Sequence, residues 1–507
     1  MSPPSVADIP LTAAAAADAG SLSWWRFTWE AQSHTSILRL LLFNPNTNPS
    51  TQCVDLKLSL HTQQSLLTMS FLEPKSLVET TVRVPVPRVL VDSDSPIHFK
   101  IFDGHIEVKL VLLIPVDHPL VSDFDSILSL ERNVDEIRPF SLDSDIKQLS
   151  CMEEVHVYCR NCSNKLTKRL RCFKEMPSVN WRDVADNWFG NCCCSFGGVS
   201  EKLVAEYAKS YICTPGVCLL NTTSVLICKD DILGCKFADR QNSEPENGAP
   251  KKLADDDSLS GALHALQIEE KCDRGFCCSE TSSKVQMNEV NVELLENQKV
   301  FLDGYLGNGF MISSSGLSKN IRWIEFLCPQ CSCLAGAYPC IDDNVPVDGG
   351  VRLFKCYIST CLPVNGSDDI FRSYTLERMF ASQLLESAED ELSFKTIVRD
   401  MQTKSPLLQI ILLNPNTWGC AGSLNSEEPA AKLVMHPNVK VLFSAFGNGM
   451  DVDSRALDEW VTKNQADEIY MFSTQILELI RVLELAKSLS PPSCTSLQGL
   501  SLSSMRR

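Results

Sequence analysis

The sequence predicts an α+β fold: a β-rich N-terminal sheet domain, a cysteine-knuckle middle region and a mixed α/β C-terminal domain. Three observations lead there. Apolar residues alternate with period two between residues 23 and 115, cysteine pairs of matched spacing occupy the middle, and an apolar helical stripe dominates the last part of the chain.

The elements follow in order. Residues 1–20 read as a flexible tail, with no Lys or Arg and only the run Ala13–Ala17 to offer. That pattern lacks the basic start and apolar centre of a signal peptide. Residues 21–145 form the β-rich domain. Val54, Leu56, Leu58 and Leu60 alternate with polar residues, as do Val82, Val84 and Val86, and Pro85 and Pro87 mark an edge or exit. Phe99 and Ile101, then Ile106, Val108 and Leu110, flank Asp103-Gly104, a hairpin turn signal. Residues 150–237 carry the first cysteine knuckle and a helix over Glu201–Tyr211, and 238–298 form an acidic, disordered insertion rich in Ser, Asn, Asp and Glu. The second knuckle lies in 300–365, where the strand Ile321–Leu327 leads into Cys328. The C-terminal α/β domain spans 370–490. Its helix starts after Thr375 as N-cap, strands follow at Phe394–Val398, Leu407–Leu413 and Val439–Phe443, and a long helix covers Asp467–Ser488. Residues 491–507 read as a tail. Leu40–Thr47 and Ile410–Thr417 echo each other, and each reads as a buried strand ending in an Asn-Pro turn.

Composition bounds the function. The chain has 507 residues, enough for several domains at roughly 100–200 residues each. With 46 Lys and Arg against 63 Asp and Glu, the net charge is −17. A chain so acidic is poorly suited to neutralising nucleic-acid phosphates or docking on an anionic membrane. No apolar run is long enough to span a bilayer. These features point to a cytoplasmic or nuclear protein, or one of both compartments, where thiols stay reduced. The 23 cysteines, 23 in 507 or about 4.5%, then suggest metal or chemistry rather than bridges.

Two pairs carry the strongest signal, Cys159-Arg-Asn-Cys162 and Cys328-Pro-Gln-Cys331. Each is a C-x-x-C turn between strands. Two such turns supply four sulfurs to a tetrahedral ion, with backbone amides of the turns stabilising thiolate charge. One structural zinc on Cys159, Cys162, Cys328 and Cys331 is expected, with four sulfurs leaving no position open for substrate. The plain alternative is buried reduced cysteines on two unrelated turns. The run Cys192–Cys194 could join Cys213, Cys218, Cys228 or Cys235 in a second site or simply pack in a small core. Lys165, Lys168, Arg169, Arg171 and Lys174 form a basic cluster beside the first knuckle, either a docking face or a solvated one.

The stretch Val155–Gly198 carries the first knuckle, then Pro177-Ser178 with Trp181, then Trp188 and the cysteine run. Together with the second knuckle at Cys328 and Cys331 it resembles the HECT-like family of ubiquitin-conjugating-enzyme-binding proteins. The resemblance covers most of the chain in order, and the knuckle-plus-Trp stretch is its most specific part. It implies a ubiquitin-protein ligase whose partners are a ubiquitin-conjugating enzyme, ubiquitin and protein substrates such as cyclins. The second reading is a non-enzymatic, zinc-stabilised binding protein or assembly chaperone, as some members are linked to pre-mRNA 3′-end processing. Pro177, Trp181 and Trp188 suit a rigid aromatic partner surface or core packing around the knuckle. A thioester-forming ligase needs an exposed cysteine of lowered pKa. No segment resembles the catalytic-cysteine motif of true HECT domains. Cys420, on an expected loop between Gly419 and Gly422, is the better C-terminal candidate, and Cys494 sits in a Pro-Ser tail.

Overall fold

The computed structural model describes residues 25–74, 79–121, 140–176, 213–235, 237, 309–314, 317, 321–341, 344–390, 392–424, 433–446 and 454–507. The tail 1–20, the helix expected over 201–211, the insertion 238–298, Cys192–Cys194, and Pro177, Trp181 and Trp188 lie outside them. The chain divides into two compact units. One comprises Met1–Val121, Trp418–Met435 and Ser488–Thr495, and the other Ser122–Thr417, His436–Lys487 and Ser496–Arg507.

The first unit is built of strands. Arg26–Gln32, Ile37–Phe43, Ile106–Val111 and His98–Ile101 pair antiparallel in that order. Val54–His61, Leu66–Leu72 and Glu79–Pro85 form a second antiparallel sheet. Period-two alternation turns Leu67, Met69, Phe71, Val82 and Val84 into one core with Trp29, Leu38, Leu40, Ile106 and Val108. Trp29 is fully buried, and its indole Nε1 donates to the Pro85 carbonyl at 2.9 Å, which satisfies its polar atom. The Asp103-Gly104 turn joins two neighbouring strands as expected.

The second unit carries a six-stranded sheet in the order Arg322–Leu327, Leu334–Cys340, Gly350–Phe354, Ser224–Cys228, Val217–Leu220, Cys172–Glu175. Only the last two strands run parallel. Lys395–Asp400 pairs antiparallel with the start of Pro406–Ser423 and parallel with Asp467–Met471. The helix Leu376–Asp390 begins where expected, and Thr375 Oγ1 accepts the Arg378 amide at 3.2 Å. Its Leu376, Met379, Phe380 and Leu384 are buried. The helix Ser473–Ser488 buries Ile476, Leu479 and Leu483. No helix among the described residues is long and apolar enough to cross a membrane.

Four expectations need correction. The helix read over 467–488 starts only at Ser473, because Ile469, Tyr470 and Met471 are buried in a parallel strand. Gln475 Oε1 then accepts the Phe472 amide at 3.2 Å, a helix-start contact. The tail read over 491–507 contains the strand Leu500–Arg506, paired with His436–Ala445. Ser503 is buried rather than solvated, and its Oγ donates to the Leu483 carbonyl at 2.7 Å. Gln498 and Gly499 both take positive φ, the two-residue turn that closes this hairpin. The expected C-terminal domain 370–490 is divided, because Trp418–Met435 and Ser488–Thr495 belong to the first unit. The Asn-Pro echo is local: Asn44 and Asn414 each accept the amide two residues on, at 3.0 and 2.8 Å. The first such turn ends its strand, but the strand Pro406–Ser423 runs through the second. The helices Leu142–Cys151 and Ser454–Asn464 were not anticipated.

Candidate functional site

The two C-x-x-C turns converge. Sγ of Cys159 lies 3.7 Å from Sγ of Cys331, and Sγ of Cys162 lies 3.6 Å from Sγ of Cys328. All four sulfurs fall within 4.8 Å of one another, and no other such cluster of ligand atoms occurs among the described residues. These separations exclude disulfides, whose bond is about 2.05 Å. They match the edge of a sulfur tetrahedron around zinc, roughly 3.8 Å for a 2.3 Å Zn–S distance. The two short edges each join one knuckle to the other, so an ion held here would tie together residues far apart in sequence.

The knuckles are near-copies. In the first, the Cys159 amide donates to the Asn164 carbonyl at 2.8 Å and the Ser163 amide to the Cys159 carbonyl at 2.9 Å. In the second, the Cys328 amide donates to the Cys333 carbonyl at 2.8 Å and the Ser332 amide to the Cys328 carbonyl at 2.9 Å. Ser163 and Ser332 both adopt the left-handed conformation, with φ of 61° and 57°. This closes each turn tightly enough to aim two thiols at one point.

Donors surround the sulfurs. Backbone amides of Asn161 and Cys162 face Sγ of Cys159, that of Asn164 faces Cys162, and that of Cys333 faces Cys331. The Asn161 side-chain amide reaches Sγ of Cys333 at 3.2 Å. Burial pushes the Cys159 and Cys162 thiols up. Burial also acts to raise Cys331, but the Cys333 amide, the Asn161 side chain and the Cys162 and Cys328 thiols together bring it down to about 6. The cluster thus favours at least one thiolate, and a divalent ion would displace the remaining thiol protons.

Different scaffolds hold the two turns. The second sits at the tip of the hairpin formed by Arg322–Leu327 and Leu334–Cys340. The first hangs on a short pairing of Tyr158–Cys159 with Ile358–Ser359, and on bridges from Val155 to Leu170 and Tyr158 to Lys165. Arg160, between the first two cysteines, is the anchor. Its guanidinium donates to the carbonyls of Cys356, Tyr374 and Phe371 at 3.0, 2.8 and 2.7 Å and lies 3.8 Å from the Asp369 carboxylate. Sequence reading passed over Arg160, because the x positions of a knuckle carry no ligand signal.

The remaining candidates fare differently. Cys420 is packed against Met435, sulfur to sulfur at 3.4 Å, and burial pushes its thiol up to about 12. That environment opposes thiolate formation. Cys213 and Cys218 are likewise pushed up by burial, and Cys228 is buried in a strand. Cys235 packs beside the knuckles without joining the four-sulfur cluster.

No curated protein and no solved structure matches the chain. The model of one protein family, described as HECT-like ubiquitin-conjugating enzyme (E2)-binding, matches residues 49–502. That range takes in both knuckles and the greater part of both units, and so the chain belongs to the HECT-like ubiquitin-conjugating enzyme (E2)-binding family.

Proposed function

We propose that the protein is a ubiquitin-protein ligase that binds a ubiquitin-conjugating enzyme and promotes transfer of ubiquitin to protein substrates, cyclins among them, in the cytoplasm or nucleus. The observation that carries this reading is the family match across residues 49–502. The four-cysteine cluster supports one structural zinc within it, held by Cys159, Cys162, Cys328 and Cys331. Zinc there supplies folding energy and orientation. Four thiolates saturate a tetrahedral ion, leaving it no Lewis-acid role.

Full-length protein mixed with a panel of ubiquitin-charged conjugating enzymes tests this reading. Binding of at least one, with faster discharge of ubiquitin onto protein lysines, is the expected result. Binding without faster discharge would instead support the non-enzymatic binding protein or assembly chaperone. The closed, four-sulfur geometry of the cluster fits that second reading equally well.

A further inference from the structure

The basic run beside the first knuckle is held rigidly and only partly neutralised. Lys165, Lys168, Arg169, Arg171 and Lys174 stand within ten residues that contain no Asp or Glu. Leu166, Thr167 and Leu170 take the buried positions of that run, and all five cations are exposed. The backbone that carries them is pinned on both flanks. On one side the Leu166 and Leu170 amides donate to the carbonyls of Val157 and Val155 at 2.7 and 3.0 Å. On the other the Leu233 amide donates to the Leu166 carbonyl, and the Lys168 amide to the Asp231 carbonyl, each at 2.8 Å. The Arg171 and Cys172 amides both donate to the Gly216 carbonyl, and Cys172–Glu175 is the end strand of the six-stranded sheet. At roughly 3.3 Å per residue the run spans at most about 30 Å.

Neighbouring acids account for little of this charge. Arg169 Nη1 pairs with Glu154 at 3.3 Å, and Lys165 Nζ contacts Nε2 of His156 at 3.1 Å. The side chains of Lys168, Arg171 and Lys174 have no partner among the described residues. The Asp231 carboxylate is buried and accepts the Gly216 amide. Nor do these cations serve the metal-site thiols. Burial, backbone amides, the Asn161 side chain and neighbouring thiols shift Cys159, Cys162 and Cys331, and none of the five cations does. In a chain of net charge −17 the run is a local inversion of sign.

We propose that Lys168, Arg171 and Lys174, flanked by Lys165 and Arg169, form a docking strip for an acidic stretch of a partner protein. This does not rest on the ligase reading above. Three unpaired cations fall well short of the roughly 6–10 phosphate contacts of a strong nucleic-acid binder, and the acidic remainder of the chain repels a long polyanion. They suit a short run of Asp and Glu. The pinned backbone spares the complex the cost of ordering this side. Charge complementarity of this kind steers encounter and selects the partner more than it adds affinity, and salt weakens it.

Full-length protein is titrated into a fluorescein-labelled deca-glutamate peptide, and binding is read by anisotropy at 50 and 200 mM salt. Salt-sensitive binding is expected. Lys168→Glu, Arg171→Glu and Lys174→Glu combined should weaken it about tenfold or more. A control with the same charge change, Lys57→Glu, Arg83→Glu and Lys100→Glu combined on exposed strand positions of the first unit, should change it less than about twofold. The corresponding triple Gln variant, which adds no repulsion, should fall between. No binding at 50 mM salt overturns the proposal. Equal losses in the two triple Glu variants also overturn it, since only the overall charge would then matter. A ten-nucleotide oligouridine that binds more tightly than the peptide, and is lost with the same three cations, overturns it in favour of RNA.

Discussion

The two knuckles share one local geometry and differ in how each is fixed. Each has the sequence C-x-x-C-S, closes with the same pair of backbone hydrogen bonds and puts its serine in the left-handed region. The first is held from within by Arg160, whose guanidinium reaches three carbonyls of a distant loop. The second has Pro329 at that position and rides on a hairpin, with Pro329 against Gly234. Aiming the thiols is therefore a local property of six residues, 159–164 in the first turn and 328–333 in the second. Bringing the two turns together depends on contacts distant in sequence, and these differ at each turn.

The largest expected effect breaks both knuckles at once. Stripping the proposed zinc with a chelator is expected to remove a metal-binding free energy on the order of 10 kcal/mol. Hydrogen exchange is expected to rise across 155–170 and 322–340 together. Lowering the pH should release the ion in the same manner, since each thiolate must be reprotonated to leave. A rise confined to one knuckle would mean that the two do not share an ion.

The next test separates the scaffolds. Arg160→Ala removes three hydrogen bonds to carbonyls and the ion pair with Asp369, and is expected to cost about 3 kcal/mol in denaturant unfolding. Pro329→Ala, the matching position of the second knuckle, should cost less than about 1 kcal/mol. Equal costs would mean that the two knuckles are fixed alike. Gly234→Ala is intermediate. Gly234 has φ of +77° and a Cβ there would meet Pro329 at 3.0 Å, so a loss of about 1–2 kcal/mol is expected. The smallest effect tests the shared geometry. Ser163→Gly and Ser332→Gly relieve left-handed strain and should each shift stability by no more than about 1 kcal/mol, equally and with metal retained.

The same division explains what could be read from sequence. Strands of the first unit were legible where Leu, Val and Ile alternate over a half-buried sheet, and the four-cysteine cluster was legible because C-x-x-C spacing is itself the local geometry. The strand Leu500–Arg506 was not, since its serines look solvated until the Leu483 carbonyl accepts one of them. The start of the last helix was misread because Ile469, Tyr470 and Met471 serve a helical stripe or a buried strand equally well, and only pairing with Lys395–Asp400 decides. Arg160 was invisible because the carbonyls it reaches lie about two hundred positions away.

A single zinc is proposed to bridge the two knuckles. Metal analysis of purified full-length protein, combined with X-ray absorption at the zinc edge, tests it most directly. One zinc per chain in an all-sulfur shell at about 2.3 Å is expected, lost on Cys159→Ser and on Cys328→Ser alike. Metal-free parent protein, or zinc retained when either knuckle is disabled, would contradict it.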